Sequence, residues 1–487
     1  MKVAHGTLKI AGILALLILF VLPGNAQSNL VFYPNHRRFN SSDFNPSFLT
    51  SQQNFTFAIF PVGGMTVGYN NQAAIKDMVF KFISGTETQE DLTTIFNSLL
   101  KRDMFYQRMD MPLLYFVYHS DWGAFDFRIK EIEQIACNFK GDFSSFLSLP
   151  EFQTLKLNQR QAFPAKAFYY REYSLGFAKE ILKDKLNIGI RAKIYFGKAN
   201  LMSEVEGGME NSNGNYYFRT YGQAKLTVPI NLIQKDSLLS SATMVNDFTV
   251  ANYLFNSKNM GVGLDFGLSY LITPQLEFSA SVTDLGRINW NNNTNSLAFK
   301  GKHDFPDKYI LNSGNDFVSK NSDFSTDKEN LNELFKVAIE NKPYSTTLPT
   351  AFYAGLQYQL NPELNIGLVD RFISSENLNQ NSFSLTASYN LNKRLTISSG
   401  YSVIGNAYSN IPLAIFYSRE SGQTFIGTDN ALSFFSSSSD FSGITFGTCF
   451  YLFRHRSKYK EPLDYLPFYK EKKPKPKNNK GLLFNNY

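Results

Sequence analysis

Few residues in this chain could do chemistry on a substrate. Among 487 residues there are five histidines: His5, His36, His119, His303 and His455. His119-Ser120-Asp121 sets the three residue types of a hydrolytic triad side by side. Adjacent positions on a strand point to opposite faces, so a run of three cannot supply the nucleophile–base–orienter geometry. His119 is expected to be a polar residue near a turn. No Gly-x-Ser-x-Gly elbow and no His-Glu-x-x-His pair is present. Asp323, Asp327 and Glu329 cluster with Asn321 but lack the Asp-x-Asp-x-Asp-Gly spacing of a calcium loop. Cys137 and Cys449 make neither a disulfide framework nor a metal-type spacing, and Cys449 is expected to be a small buried side chain. The sequence points away from an enzyme and names no cofactor and no metal.

Charged residues inside strand-like patterns are more telling. In Lys185–Gly197, Leu186, Ile188, Ile190, Ala192, Ile194 and Phe196 alternate with Asn187, Gly189, Arg191, Lys193 and Tyr195. Arg191 and Lys193 cannot face hydrocarbon without a large desolvation cost, so the polar set belongs on an inner face. The same reasoning makes Glu172, Arg191, Lys193, Asp265, Glu277, Gln357 and Gln359 the lumen-lining candidates. They could line a conduction path, or serve only as the salt-bridged interior that any barrel of this size needs.

The elements that must carry these residues are strands. From Thr346 to Phe453, strand-length segments follow one another with little helix between them. In Ser382–Leu391, Phe383, Leu385, Ala387, Tyr389 and Leu391 alternate with Ser382, Ser384, Thr386, Ser388 and Asn390. That is period 2, with two different environments on the two faces. Gly261–Leu271 repeats the pattern, with Val262, Leu264, Phe266, Leu268 and Tyr270 outward and Gly263, Asp265, Gly267 and Ser269 inward. A soluble sheet can alternate in this way too. The succession of such segments, many with aromatic ends, favours an all-β membrane barrel: a closed antiparallel transmembrane barrel of about 14–16 strands with a few short inserted helices.

Composition agrees. Aromatic residues make up 15% of the chain and Phe alone occurs 46 times. A mean hydropathy of -0.24 is no objection, since a barrel shows lipid only alternate residues. The net charge of +7 belongs to one tail: Arg454–Tyr487 carries ten Lys and Arg against Glu461, Asp464 and Glu471, while the remainder has 38 basic and 38 acidic residues. A neutral body argues against nucleic acid as a partner.

In chain order, 1–26 reads as a signal peptide, with Lys2 and Lys9, an apolar run Ile10–Leu22, and small residues at Gly24-Asn25-Ala26. The barrel is expected over 27–453. Gln27–Asn54 is polar and rich in Asn, Ser and Phe. Residues 70–102 change period to two short amphipathic helices, which could line the bore, cap one mouth or lie on the membrane. Asn200–Asn215 is expected to be a loop, and Ile230–Met260 resists assignment. Residues 290–345 form the longest insertion, an exposed functional loop with a helix at Glu329–Glu340. The tail, 454–487, is extended and periplasmic; its Lys472, Lys473, Lys475 and Lys477 either dock a partner or form a solvated end.

Ser281-Val282-Thr283-Asp284-Leu285-Gly286-Arg287-Ile288-Asn289-Trp290 resembles a segment of an uncharacterised family of Bacteroidetes outer-membrane barrels, catalogued as a domain of unknown function. The resemblance includes Asn45-Pro46-Ser47-Phe48, Ser345-Thr346-Thr347-Leu348-Pro349 leading into Tyr353–Leu360, and Thr428-Asp429-Asn430. It spans Phe44 to Phe453, and the order and spacing of its motifs carry it. Relatives of that family include long-chain fatty-acid transporter-like barrels and barrels of type IX secretion. The resemblance implies an outer-membrane protein in contact with outer-membrane lipid that binds or transports a hydrophobic small molecule. The alternative it implies is a protein-interaction barrel, an accessory or anchor for type IX secretion or surface adhesin assembly, with a periplasmic or secretion-system protein as partner. Thr445, Gly447, Phe450 and Leu452 are also spaced like the signal read by outer-membrane assembly machinery.

Overall fold

The computed structural model describes residues 29–36, 38–51, 55–70, 104–138, 155–156, 160–212, 215–235, 238–245, 249–304, 309–311, 316–319, 336–375, 379–405, 407–434 and 441–452. The signal peptide, most of the 70–102 stretch, the Asp323–Glu329 cluster and the basic tail with its four lysines lie outside the described residues.

Fourteen antiparallel strands close on themselves. They are β1 (Phe55–Ile59, resuming at Met65–Asn70), β2 (Met104–Ser120), β3 (Gly123–Asn138), β4 (Arg160–Leu182), β5 (Leu186–Ser212), β6 (Met260–Thr273) and β7 (Leu276–Trp290). The ring continues with β8 (Tyr344–Thr347 and Thr350–Gln359), β9 (Leu364–Ser374), β10 (Gln380–Asn390) and β11 (Leu395–Ile404). It ends with β12 (Ala407–Asn410 and Leu413–Arg419), β13 (Gly422–Thr428) and β14 (Phe441–Tyr451). Each strand pairs with the next, and β14 returns to β1 through Thr56↔Tyr451 and Met65↔Phe446. Closure leaves the ring itself without an edge.

Burial along the strands inverts the soluble pattern. On β10, Phe383, Leu385 and Tyr389 are exposed while Ser382, Ser384, Thr386 and Ser388 are buried. The inner hydroxyls pair with one another, Ser384 with Ser402 at 2.6 Å and Ser398 with Ser388 at 2.7 Å. On β6 the outward set is Val262, Leu264, Phe266, Leu268 and Tyr270. Apolar side chains left on the outer surface, strand after strand, suit hydrocarbon and not water.

One end of the cylinder carries tight connections, such as Ser120 to Gly123, Leu182 to Leu186 and Arg419 to Gly422, together with Phe55 and Tyr451. The opposite end carries the long connections. There β5 runs for 27 residues, well beyond the ~10 that a tilted strand needs to cross a bilayer. Its upper half pairs with Asn215–Thr227, which pairs with Thr294–Asp304, which pairs with Val337–Glu340. This sheet lengthens the wall on the long-loop side.

Three local expectations need correction. The expected loop Asn200–Asn215 is strand through Ser212 and again from Asn215, because Asn213-Gly214 is a two-residue hairpin signal in the sequence between Ser212 and Asn215, which pair. Val337–Glu340 is strand and not helix: Val337 and Ile339 suit a sheet edge, and Ser296–Phe299 offers the ladder. Residues 329–335 lie outside the described residues. Ile230–Met260 resolves into a hairpin, Ile230–Lys235 with Leu238–Met244, and a short helix Val250–Leu254 capped by Thr249 Oγ1, which accepts from Asn252 N at 3.1 Å.

Candidate functional site

The bore is filled by the segment that precedes β1. Asn29–Ser51 folds as three short 3-10 turns, and nearly every described residue in it is buried. It contacts the wall around the circumference. Thr445 Oγ1 donates to Asn29 Oδ1 at 2.6 Å, and Tyr33 OH bonds Ser279 Oγ at 3.1 Å. Asn35 Nδ2 donates to Ser398 Oγ at 3.3 Å, and Arg38 Nη1 to Ser418 Oγ at 3.0 Å. His36 Nδ1 lies 3.3 Å from Glu277 Oε1, its ring stacked on Phe48. The segment descends toward the short-turn end at His36 and Arg38, rises to Ser42 and Asp43, and descends again toward β1.

Apolar packing supplies much of the hold. Phe32 meets Phe416 and Phe425 edge-on at 5.5 and 5.4 Å, and Tyr33 stacks on Tyr353 at 5.6 Å. Leu30, Val31, Phe32, Tyr33, Phe48 and Leu49 are all buried to 1% exposure or less, each contributing about 1.5–3 kcal/mol by removal of apolar area from water. The wall is cut back to receive them. A Cβ at Gly427 would overlap the Phe32 ring, one at Gly355 the Tyr33 ring, and one at Gly367 the Pro34 ring. Gly267 and Gly189 make room for Asn45 and for the Pro46–Ser47 backbone. Asn45 Nδ2 then donates to Leu268 O at 3.0 Å and Ala280 O at 3.2 Å, joining β6 and β7, while Ser281 Oγ donates to Phe44 O at 2.6 Å.

On the long-loop side of the plug lies a small chamber of about 70 Å³ floored by Asp43 and Phe44. Arg108, Asp110, Lys130, Glu172, Lys193, Asp284 and Arg371 line it, with Tyr353 and Ile132 among the apolar residues. The charges are paired. Lys193 Nζ reaches Asp284 at 2.6 Å, Asp265 at 3.0 Å and Glu172 at 3.5 Å. Arg191 joins Asp126 at 3.0 Å and Asp265 at 3.1 Å. Arg128 joins Asp126 and Asp43, and Lys130 meets Asp43 at 2.9 Å. Ile132, Phe168, Tyr170, Tyr195, Ile288, Trp290 and Leu348 pack together on the long-loop side, with Trp290 Nε1 donating to Thr346 Oγ1 at 2.8 Å.

The seven residues singled out from the sequence are all buried. Glu172, Arg191, Lys193 and Asp265 meet in one ion-pair network. Glu277 sits apart, nearer the short turns beside His36, and Gln357 and Gln359 lie outside the chamber lining. Asp126, Arg128, Lys130 and Asp284 escaped the sequence reading. The first three stand at alternate positions of β3, the same signal that marked Arg191 and Lys193. Asp43 gave no such signal, since the plug has no period. His119-Ser120-Asp121 forms a turn: Ser120 Oγ donates to Gly123 O at 3.1 Å and accepts from Trp122 N at 3.2 Å. Among the described residues no group of three or more His, Cys, Asp or Glu is placed to hold a metal ion.

A closed, even-stranded antiparallel cylinder with an apolar outer band and a polar bore defines a transmembrane β-barrel. The chain belongs to a family of unknown function, DUF5723, whose model matches residues 46–429. No curated protein matches the sequence. Among solved structures, the Pseudomonas putida toluene transporter TodX is similar at 10% identity and a TM-score of 0.38, over 84% of this chain and 92% of that one. The Ralstonia pickettii toluene transporter TbuX gives 10% and 0.39, over 83% and 91%. A Pseudomonas aeruginosa FadL homologue gives 9% and 0.33, over 71% and 76%. At those identities and scores the likeness does not bear on function.

Proposed function

We propose that this protein spans the bacterial outer membrane and binds or transports a hydrophobic small molecule that carries a polar head. The observation that carries the reading is the filled bore: a barrel closed by its own N-terminal segment is unsuited to free diffusion, so it is no ordinary porin. The chamber supports the amphipathic character of the ligand, since its charged lining adjoins the aromatic layer around Trp290. The lumen-lining residues Glu172 and Lys193 then meet the head group, Arg191 and Asp265 hold them from behind in the same ion-pair network, and Glu277, Gln357 and Gln359 lie further along the bore. No catalytic step is part of this role, and no cofactor. The test is uptake of an alkyl carboxylate by vesicles reconstituted with the full-length protein. Uptake above protein-free vesicles is expected; uptake equal to theirs contradicts the reading.

A second reading has an observation of its own. The sheet built on β5 lengthens the wall beyond what a bilayer requires, which suits contact with another protein, as an accessory or anchor for type IX secretion or adhesin assembly would make. The basic tail, with Lys472, Lys473, Lys475 and Lys477, would serve a periplasmic partner. Deleting Lys458–Tyr487 is then expected to remove co-purifying proteins; their full retention counts against this second role.

A further inference from the structure

Asp43 is the only acidic residue between Asn29 and Ser51, and it stands at the apex of the plug. The wall grips this apex from two strands, β3 and β5. Arg128 closes on Asp43, Lys130 Nζ lies 2.9 Å from the same carboxylate, and Arg128 Nη2 donates to Ser42 Oγ at 2.6 Å. From β5, Arg191 Nη2 donates to the Ser42 carbonyl at 2.9 Å. The Asp43 side chain is 32% exposed, toward the chamber whose floor it forms.

The charges of the wall around the chamber and apex do not balance without it. Arg108, Arg128, Lys130, Arg191, Lys193 and Arg371 face Asp110, Asp126, Glu172, Asp265 and Asp284, leaving one positive charge over. A buried cation without a counter-charge is costly. The wall therefore keeps a place for one negative charge beside the chamber, and the chain's own Asp43 occupies it. We propose that this place is an oxyanion subsite open to the chamber. An anionic group arriving from the long-loop side exchanges with Asp43 on Arg128 and Lys130 and frees the apex of the plug. The exchange half rests on the chamber being a ligand site; the grip on Asp43 does not.

The experiment uses the full-length protein in planar bilayers, with benzoate, phenyl phosphate and benzyl alcohol as probes of similar size. Wild type stays closed in buffer. Benzoate or phenyl phosphate raises the open fraction at least tenfold, whichever acts naming the anion, and benzyl alcohol changes it less than twofold. Asp43→Asn is expected to open without any probe and to respond less than twofold to either anion. Lys130→Gln keeps the carboxylate and removes one partner, so it covers the case in which Asp43→Asn does not fold; it opens part-way and needs several-fold more benzoate. Equal action by benzoate and benzyl alcohol overturns the subsite, and so does an Asp43→Asn protein as closed as wild type. Failure of amphiphile uptake in vesicles, with Asp43→Asn open in the bilayer, sinks the proposed function and leaves the latch standing.

Discussion

Gly189→Ala puts the seating of the plug to a quantitative test. Gly189 lies on the inner face of β5, and its backbone is ordinary strand, so alanine there carries no conformational penalty. The added Cβ would overlap the Pro46 carbonyl carbon and Ser47 nitrogen and stand 2.6 Å from the Pro46 oxygen. These are backbone atoms, which no rotamer change can move aside. The turn at Pro46 must retreat by about 1 Å to regain van der Waals separation. Asn45 moves with it and loses good geometry to Leu268 O and Ala280 O, now 3.0 and 3.2 Å away. Two hydrogen bonds at about 1 kcal/mol each, with about 1–3 kcal/mol for overpacking, take roughly 3–5 kcal/mol from docking of this end. Each 1.4 kcal/mol is tenfold, so the undocked fraction rises by roughly two to three and a half orders of magnitude. Steady conductance in planar bilayers reads that change, with Leu268→Ala on the outer face as the control that leaves it flat. A Gly189→Ala protein as closed as wild type would refute the seating described here.

Other expectations follow from the same contacts. Arg191→Met strands Asp126 and Asp265 in the bore and is expected to cost about 3–5 kcal/mol, seen as a lower urea midpoint for unfolding in detergent. Leu385→Arg places a charge on the outer face of β10 and is expected to cost about 2–4 kcal/mol by urea unfolding from lipid vesicles, whereas a buried Leu385 in a soluble sheet would lose its packing in any solvent. Thr346→Val removes the acceptor for Trp290 Nε1 and is expected to cost about 1–3 kcal/mol, with a change in near-ultraviolet circular dichroism.

The barrel was legible in the sequence because its two faces meet two solvents. Phe383, Leu385 and Tyr389 alternate with serines and threonines, and the structure sends them outward as the period requires. The ring of fourteen falls within the expected range. Charges at alternate positions led to Arg191, Lys193 and Asp265, and the same rule applied to Asp126, Arg128 and Lys130 would have completed the network. The plug was not legible, for a physical reason. Its turns bury side chains in all directions inside a cylinder, so apolar and polar residues follow no period. Gln27–Asn54 reads only as a polar stretch rich in Asn, Ser and Phe, although the wall supplies partners for Asn29–Ser51 one by one. The helical period at 70–102 is the stronger signal in the sequence. The inner glycines carried a usable hint: Gly189 and Gly267 interrupt the inner rows of β5 and β6 where a side chain would be expected, and that is where the plug rests.

The protein is a closed barrel filled by its own N-terminal segment. Hydrogen–deuterium exchange on the full-length protein in detergent tests this most directly. Peptides covering Asn29–Ser51 are expected to exchange as slowly as those from β9 and β10, since they are walled in on every side. Exchange of that segment within seconds, beside protected strands, would contradict it.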